Sequence, residues 1–309
     1  SVFYKPQTKI SIGKKIIIKS IKPNFRNISI NTKKYLQLNK KFNLNLSLKQ
    51  YSKIFNDFSK NIKQGKTYQI KIAQTYSKKG NINSIDLFWK LMKMNESPES
   101  FLIREKDYNI VSCSPETLIL KKDNTIRTKP IAGTLRKTKQ LNKNKALTFF
   151  RRNEKETKEH NMIVDMERND LSKICKTGSV KIDKLKKVEE YRDLFHYVTT
   201  IKGVIKNKMS NHDIISSLMP GGSVIGCPKI STIQLLNRKE KFDRNIYTGS
   251  FGIIHSNGDM RFNIMIRTLL NFKNDIELSV ASGVILGSTA KKEYNENYIK
   301  AKSLLDLFN

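Results

Sequence analysis

The most regular stretch of the chain is "SLKQYSKIFNDFSKNIKQG". Tyr51, Ile54, Phe55 and Phe58 recur there at helical spacing, and polar residues fill the other positions. That period predicts a helix with one core face, capped by Ser47 and closed by Gly65. "TYQIKIAQTYS" then alternates as a strand does, and "YNIVSCSPETLILKK" with "TIRTKPIAG" predicts paired strands. One helix is expected through "FFRRNEKETKEHNMIVDMERNDLSKI". "YTGSFGIIHSNGDMRFNIMIRTLL" predicts a hairpin turning at "SNGD". "IELSVASGVIL" reads as a strand and "KKEYNENYIKAKSLLDLF" as a terminal helix. Residues 1–46 alternate only weakly, in "KIIIKSIK" and "NISI", and read as N-terminal strands or the remnant of a longer N-terminal region. With no initiator methionine, a trimmed chain is expected. Antiparallel strands with helices inserted between them predict an α+β class.

Composition adds bounds. A chain of 309 residues with 38% hydrophobic content supports one large core. It has no apolar run long enough to span a membrane, and "SVFYKPQTKI" lacks a secretory core, so no membrane partner is expected. Three cysteines without a CxxC pair argue against a disulfide framework and fit a reducing cytoplasm. The net charge of +32 is spread along a chain rich in lysine, asparagine and isoleucine. These are residues that AT-rich coding favours together. With no aromatic RNA-binding motif and no zinc finger, general attraction to polyanions is expected, but no specific nucleic-acid partner.

Several residues are candidates for chemistry. Glu159 precedes Met162, Ile163 and Met166 on a core-facing stripe. A carboxylate there needs a partner, a metal or a proton; Lys155 and Lys158 are the nearest cations in sequence. Glu293, Glu296 and Lys300 fall at i, i+3 and i+7 beside an apolar stripe of Tyr294, Tyr298, Ala301, Leu305 and Phe308. They read either as a solvated Glu–Lys pair or as ligands for a hard cation. "MPGGSVIGCPK", with Ser223 and Lys229, is a glycine-rich turn able to receive an anion, without P-loop spacing. Arg267, in "FNIMIRT", reads as part of an otherwise apolar strand and calls for a carboxylate, on the protein or on a ligand. His196 in "LFHYVTT" is either structural or catalytic.

In order, "KPIAGT", "KEHNMIVDMERNDLSKIC", "LFHYVTT", "PGGSVIGCPK", "YTGSFG", "NIMIRT" and "ENYIKA" resemble the chorismate-utilising enzymes. These are the anthranilate synthase large subunit, aminodeoxychorismate synthase component I, isochorismate synthase and salicylate synthase. The resemblance covers Ser47 to Phe308 and implies a large antiparallel β-sandwich flanked by helices, with residues 47–309 as the chorismate-binding catalytic domain. It implies Mg2+ held by Glu159 and Glu296, with Glu293 nearby. By the same resemblance Arg267 and Tyr247 hold the enolpyruvyl carboxylate, and His196 serves the step that removes pyruvate. Thr134, Ala132 and Lys300 join His196 at the reacting atoms, and Ser223, Gly283 and Gln69 contact the substrate.

Two positions sort the branches. Gln69 stands where isochorismate and salicylate synthases have a water-activating lysine, and a glutamine is no base. Ala132 stands where aminodeoxychorismate synthases have a lysine, as in anthranilate synthases. The resemblance therefore implies ammonia as nucleophile, then pyruvate loss to anthranilate, as in tryptophan biosynthesis. Aminodeoxychorismate synthase component I, of the folate and p-aminobenzoate pathway, is the alternative, because "YQIKIAQ" and "PGGSVIGCPK" stand nearer to it. Two departures leave a third reading, a catalytically decayed polybasic binding protein. Ala281 replaces a family glycine, where alanine is strained if φ must be positive, and "LRKTKQ" replaces a P-R-G loop. Cys113, Cys175 and Cys227 lie outside any G-x-C-x-G segment, so ammonia is expected from a separate glutamine amidotransferase subunit.

Overall fold

Ser47 caps the first helix as its sequence predicts: its side chain accepts from the Gln50 amide, and the Gln50 side chain reaches back to the Ser47 backbone. The computed structural model describes residues 8–12, 16–20, 41–94, 97–138, 140–191 and 194–308. Two compact units are present, residues 1–34 and 35–309. In the first, β1 (Thr8–Ile12) and β2 (Ile16–Ser20) pair antiparallel. The "NISI" run lies outside the described residues.

The second unit opens with β3 (Asn43–Leu44), α1 (Leu48–Lys63), β4 (Gln69–Lys79), α2 (Ser84–Met94), β5 (Glu99–Arg104), β6 (Tyr108–Ser114), β7 (Thr117–Lys122), β8 (Thr125–Lys129) and β9 (Ile131–Arg136). It continues through α3 (Lys143–Arg152), α4 (Glu154–Ile174), β10 (Lys181–Glu190), β11 (Leu194–Val204), α5 (Asn211–Leu218), α6 (Gly222–Ile225), β12 (Gly226–Cys227) and α7 (Lys229–Lys239). It ends with β13 (Gly252–Ile254), β14 (Met260–Asn263), β15 (Thr268–Phe272), β16 (Asp275–Ile285) and α8 (Ala290–Leu305). Among the described residues of this unit the strands form two antiparallel sheets. One runs β12-β4-β16-β15-β6-β5 with β3 on β4; the other runs β10-β11-β8-β7-β14-β13 with β9 on β11. Ile70, Ile72 and Val284 of the first sheet and Ile119, Ile126 and Ile201 of the second share one core cluster with Tyr51, Phe55 and Phe58 of α1. This is the expected sandwich, and burial of these side chains is its main source of stability.

Three expectations are corrected. The helix read as continuous through residues 149–174 breaks at Asn153, whose backbone is extended and whose side chain caps α4 through the Glu156 amide. The buried face of α8 is Glu293, Asn297, Ala301 and Leu304, whereas Tyr298 is exposed. Asn297 Nδ2 donates there to Gln74 Oε1 at 2.7 Å, which offsets part of the cost of burying this polar face. Ala281 sits within extended β16 opposite Ala73, where alanine carries no positive-φ strain.

Candidate active site

Period-two alternation along β4 puts Gln69 and Lys71 on one face. There Glu159, from the first turns of α4, accepts from Gln69 Nε2 at 2.6 Å and from Lys71 Nζ at 2.5 Å. Lys71, not Lys158, is thus a partner of Glu159, and Lys158 pairs with Glu154 instead; the side chain of Lys155 lies outside the described set. Burial works against both charges, but mutual attraction outweighs it. Glu159 is held below the usual carboxylate range and Lys71 above the usual amine value. Gly283 is the β16 residue opposite Lys71. A Cβ on it would lie 2.7 Å from Lys71 Nζ and 2.8 Å from both Gln69 Nε2 and Glu159 Oε1. The glycine leaves room for these groups to meet.

From α8, Glu296 pairs with Lys300 at 2.7 Å, and Lys300 Nζ also donates to the Ala281 carbonyl. The Glu296 carboxylate raises Lys71 and opposes the ionisation of Glu159, so the Glu159–Lys71 and Glu296–Lys300 pairs are electrostatic neighbours. Glu293 is buried on the same helix and acts on Tyr51. Among the described residues no three acidic, cysteine or histidine side chains form a ready metal cluster. In donor chemistry Glu159 and Glu296 fit Mg2+, being hard oxygen ligands from facing elements whose repulsion a cation relieves.

Arg267 lies just before β15 rather than within a strand as expected, at a left-handed backbone with φ 50°, and its side chain meets His196 of β11. Arg267 Nη1 lies 3.5 Å from His196 Nε2. A guanidinium only donates, so Nε2 accepts and the imidazole is neutral. Burial and then Arg267 push its pKa down to about 3, against a bond to the Gly133 backbone. Thr134 is the strand partner of His196 in β9; its side chain and that of Ala132 lie outside the described set.

Glu116 joins the two halves. It is 3% exposed, and burial pushes its pKa up to about 7 against the Ser223 hydroxyl, the Ile131 backbone, Lys71 and Arg267. Behind it, Glu167 is pushed up to about 8 by burial and then by Glu116. Tyr247 is buried against Ala73 and Ala281, and burial raises its hydroxyl. Lys229, at the end of the glycine-rich turn, is bound to the buried Asp170 at 2.5 Å. Arg244 braces the floor. It donates two hydrogen bonds to Glu240, one to each carboxylate oxygen, and further ones to the carbonyls of Lys71 at 3.0 Å and Val224 at 3.1 Å.

Sequence reasoning missed Lys71, Glu116, Glu167 and the buried His160, whose Nε2 meets Thr199 Oγ1 at 2.6 Å. The signal for Lys71 was present, since it stands two residues after Gln69 on an alternating strand. Glu116 and Glu167 carried no periodic signal.

Lys71 and Arg267 both act on the buried Glu116 carboxyl, so the two cations are electrostatic neighbours able to attract an anionic ligand. Residues 13–306 match the family described as chorismate binding enzyme. The chain belongs to that family. It is 35% identical over 259 residues to an anthranilate synthase component I-like protein of Synechocystis, covering 83% of this chain and 53% of the relative. It is 34% identical over 241 residues to aminodeoxychorismate synthase component 1 of Bacillus subtilis, covering 78% and 51%. The chain therefore spans about half the length of the curated relatives it matches. Among solved structures, anthranilate synthase component I of Streptococcus pneumoniae superposes with a TM-score of 0.78 at 29% identity, covering 86% of this chain and 60% of that one. The menaquinone-specific isochorismate synthase of Escherichia coli gives 0.77 at 20% identity, over 87% and 63%, a likeness of fold. No helix among the described residues is long and apolar enough to cross a membrane.

Proposed function

We propose that this chain aminates chorismate with ammonia delivered by a glutamine amidotransferase partner, then eliminates pyruvate to leave anthranilate. The balance is chorismate plus ammonia to anthranilate, pyruvate and water. The observation that carries the choice of nucleophile is Gln69, whose amide donates to Glu159 at 2.6 Å and cannot take a proton from water. Ala132 favours amination at ring carbon 2, because it supplies no amine of its own. Arg267 suits a planar carboxylate, to which it can donate two parallel hydrogen bonds. Elimination removes a proton from ring carbon 2 while the enolpyruvyl C–O bond breaks. The proposal assigns that transfer to His196, whose imidazole is neutral beside Arg267. Glu159 and Glu296 are the side chains that would hold Mg2+, which when bound neutralises the ring carboxylate.

A second reading, aminodeoxychorismate synthase component I, is supported by the Bacillus subtilis relative at nearly the same identity. The test is to incubate the protein with chorismate, Mg2+ and concentrated ammonium at mildly alkaline pH and separate the products. Anthranilate with pyruvate supports the proposal, and aminodeoxychorismate without pyruvate transfers it to the second reading. Chorismate left unchanged, with an amidotransferase partner also supplied, overturns both and favours a decayed binding protein.

A further inference from the structure

The two carboxylates that suit a divalent cation are not equivalent. Glu296 and Lys300 are both well exposed, at 39% and 42% of their side chains, so Lys300 can turn into water when another cation arrives. Lys71 and Glu159 are at 9% and 14%. The stem of Lys71 is enclosed on the β4–β16 floor, its own carbonyl is clamped by Arg244, and its ammonium fills the space that a Cβ on Gly283 would enter at 2.7 Å. Lys71 therefore has no path to solvent comparable to that of Lys300. Oε1 of Glu159 accepts from two donors, one of them a full positive charge 2.5 Å away.

We infer that Lys71 is a resident cation of this pocket that holds Glu159 and sets the divalent-cation affinity of the site, weakening it. A dication approaching Glu159 meets a fixed like charge and must either displace an enclosed ammonium or share one carboxylate with it. Both outcomes cost binding. The Lys71 charge also remains on the floor of the pocket for an anionic ligand when no metal is bound. The inference rests on the reading that Glu159 faces the metal and the substrate.

The test uses the purified chain and Mn2+ alone, with free Mn2+ followed by its electron paramagnetic resonance signal. Lys71→Met leaves Glu159 buried beside only a neutral amide, so Mn2+ should bind at least tenfold more tightly than to the unaltered protein. The gain should vanish in the Lys71→Met/Glu159→Gln double variant. Equal affinity with and without Lys71, or a gain that survives loss of Glu159, overturns the inference. If Lys71→Met alone folds poorly, thermal melting of Lys71→Asn replaces it. Its melting temperature should rise more steeply with Mn2+ than that of the unaltered chain, and parallel rises overturn the inference. Chorismate turnover is recorded separately. A chain that shows the Mn2+ difference yet turns over nothing sinks the proposed function and supports the role of Lys71.

Discussion

Nη1 of Arg267 stands 3.5 Å from Nε2 of His196, and the positive end of one side chain holds the other neutral. The proton that His196 refuses is refused for two reasons, burial and the guanidinium, which together take its pKa from 6.5 to about 3. Replacing Arg267 with glutamine removes the second reason only. The His196 ring resonances should show no titration between pH 5 and 8 in the unaltered protein. In Arg267→Gln the midpoint should move upward. NMR of the histidine ring carbons reads this directly, and an unchanged titration would mean that burial alone keeps the ring neutral.

Glu159 and Glu296 should separate in stability while agreeing in activity. Glu159→Gln leaves Lys71 buried without its counter-charge, a change worth about 3 kcal/mol or more. Glu296→Gln dissolves an exposed i,i+4 pair worth less than about 1 kcal/mol. Both should lower turnover of chorismate by about 100-fold or more, the scale on which removal of a charged group from a reacting site is felt. Urea unfolding and product assays on the two variants check both halves. Turnover retained in either variant would remove that carboxylate from the machinery.

Arg244 is the mechanical support of the pocket floor. Its guanidinium is bound to Glu240 twice and to the carbonyls of Lys71 and Val224, with side-chain exposures of 12% for Arg244 and 9% for Glu240. Arg244→Ala strands a buried carboxylate and two carbonyls, so a loss of about 3–5 kcal/mol is expected. The double variant Arg244→Met/Glu240→Met should recover much of it, because nothing charged is then left unpaired. Denaturant midpoints for the single and double variants form the check.

What the sequence showed and what it hid divide by the range of the interaction. α1 was legible because its cap, its period and its end are all local: Ser47 and Gln50 are three residues apart. The β13–β14 hairpin was legible because "SNGD" supplies a glycine where the backbone needs φ of +81°. The partner of Glu159 was not, because Lys71 is 88 residues away and reaches it only through β4 and α4 together. Asn153 was lost in a charged run that reads as continuous helix. The buried face of α8 was misplaced because hydrophobicity points to Tyr298, whereas Glu293 and Asn297 are buried. Glu116 and Glu167 were hidden too, since burial and, for Glu167, the charge of Glu116, not any local period, set their behaviour.

The Glu116–Glu167 pair gives the protein a pH dependence of definite sign. Both carboxyls have an ordinary value of 4.5, and in the fold they are pushed to about 7 and about 8, by burial first and, for Glu167, by Glu116 second. Each keeps one buried oxygen without a hydrogen-bond partner, Oε1 of Glu116 and Oε2 of Glu167. Between pH 4.5 and 8 the folded chain binds more protons at these sites than the unfolded chain, so their contribution to stability falls as pH rises, and the full penalty is present above about pH 8. Glu167→Gln fixes a neutral group in that place. The variant should unfold at a higher denaturant midpoint than the unaltered protein at pH 8.5, and the advantage should shrink towards pH 5, where Glu167 is already protonated. Urea titrations at the two pH values measure the difference. An advantage that is constant with pH would mean that Glu167 is paired by a cation in solution rather than protonated.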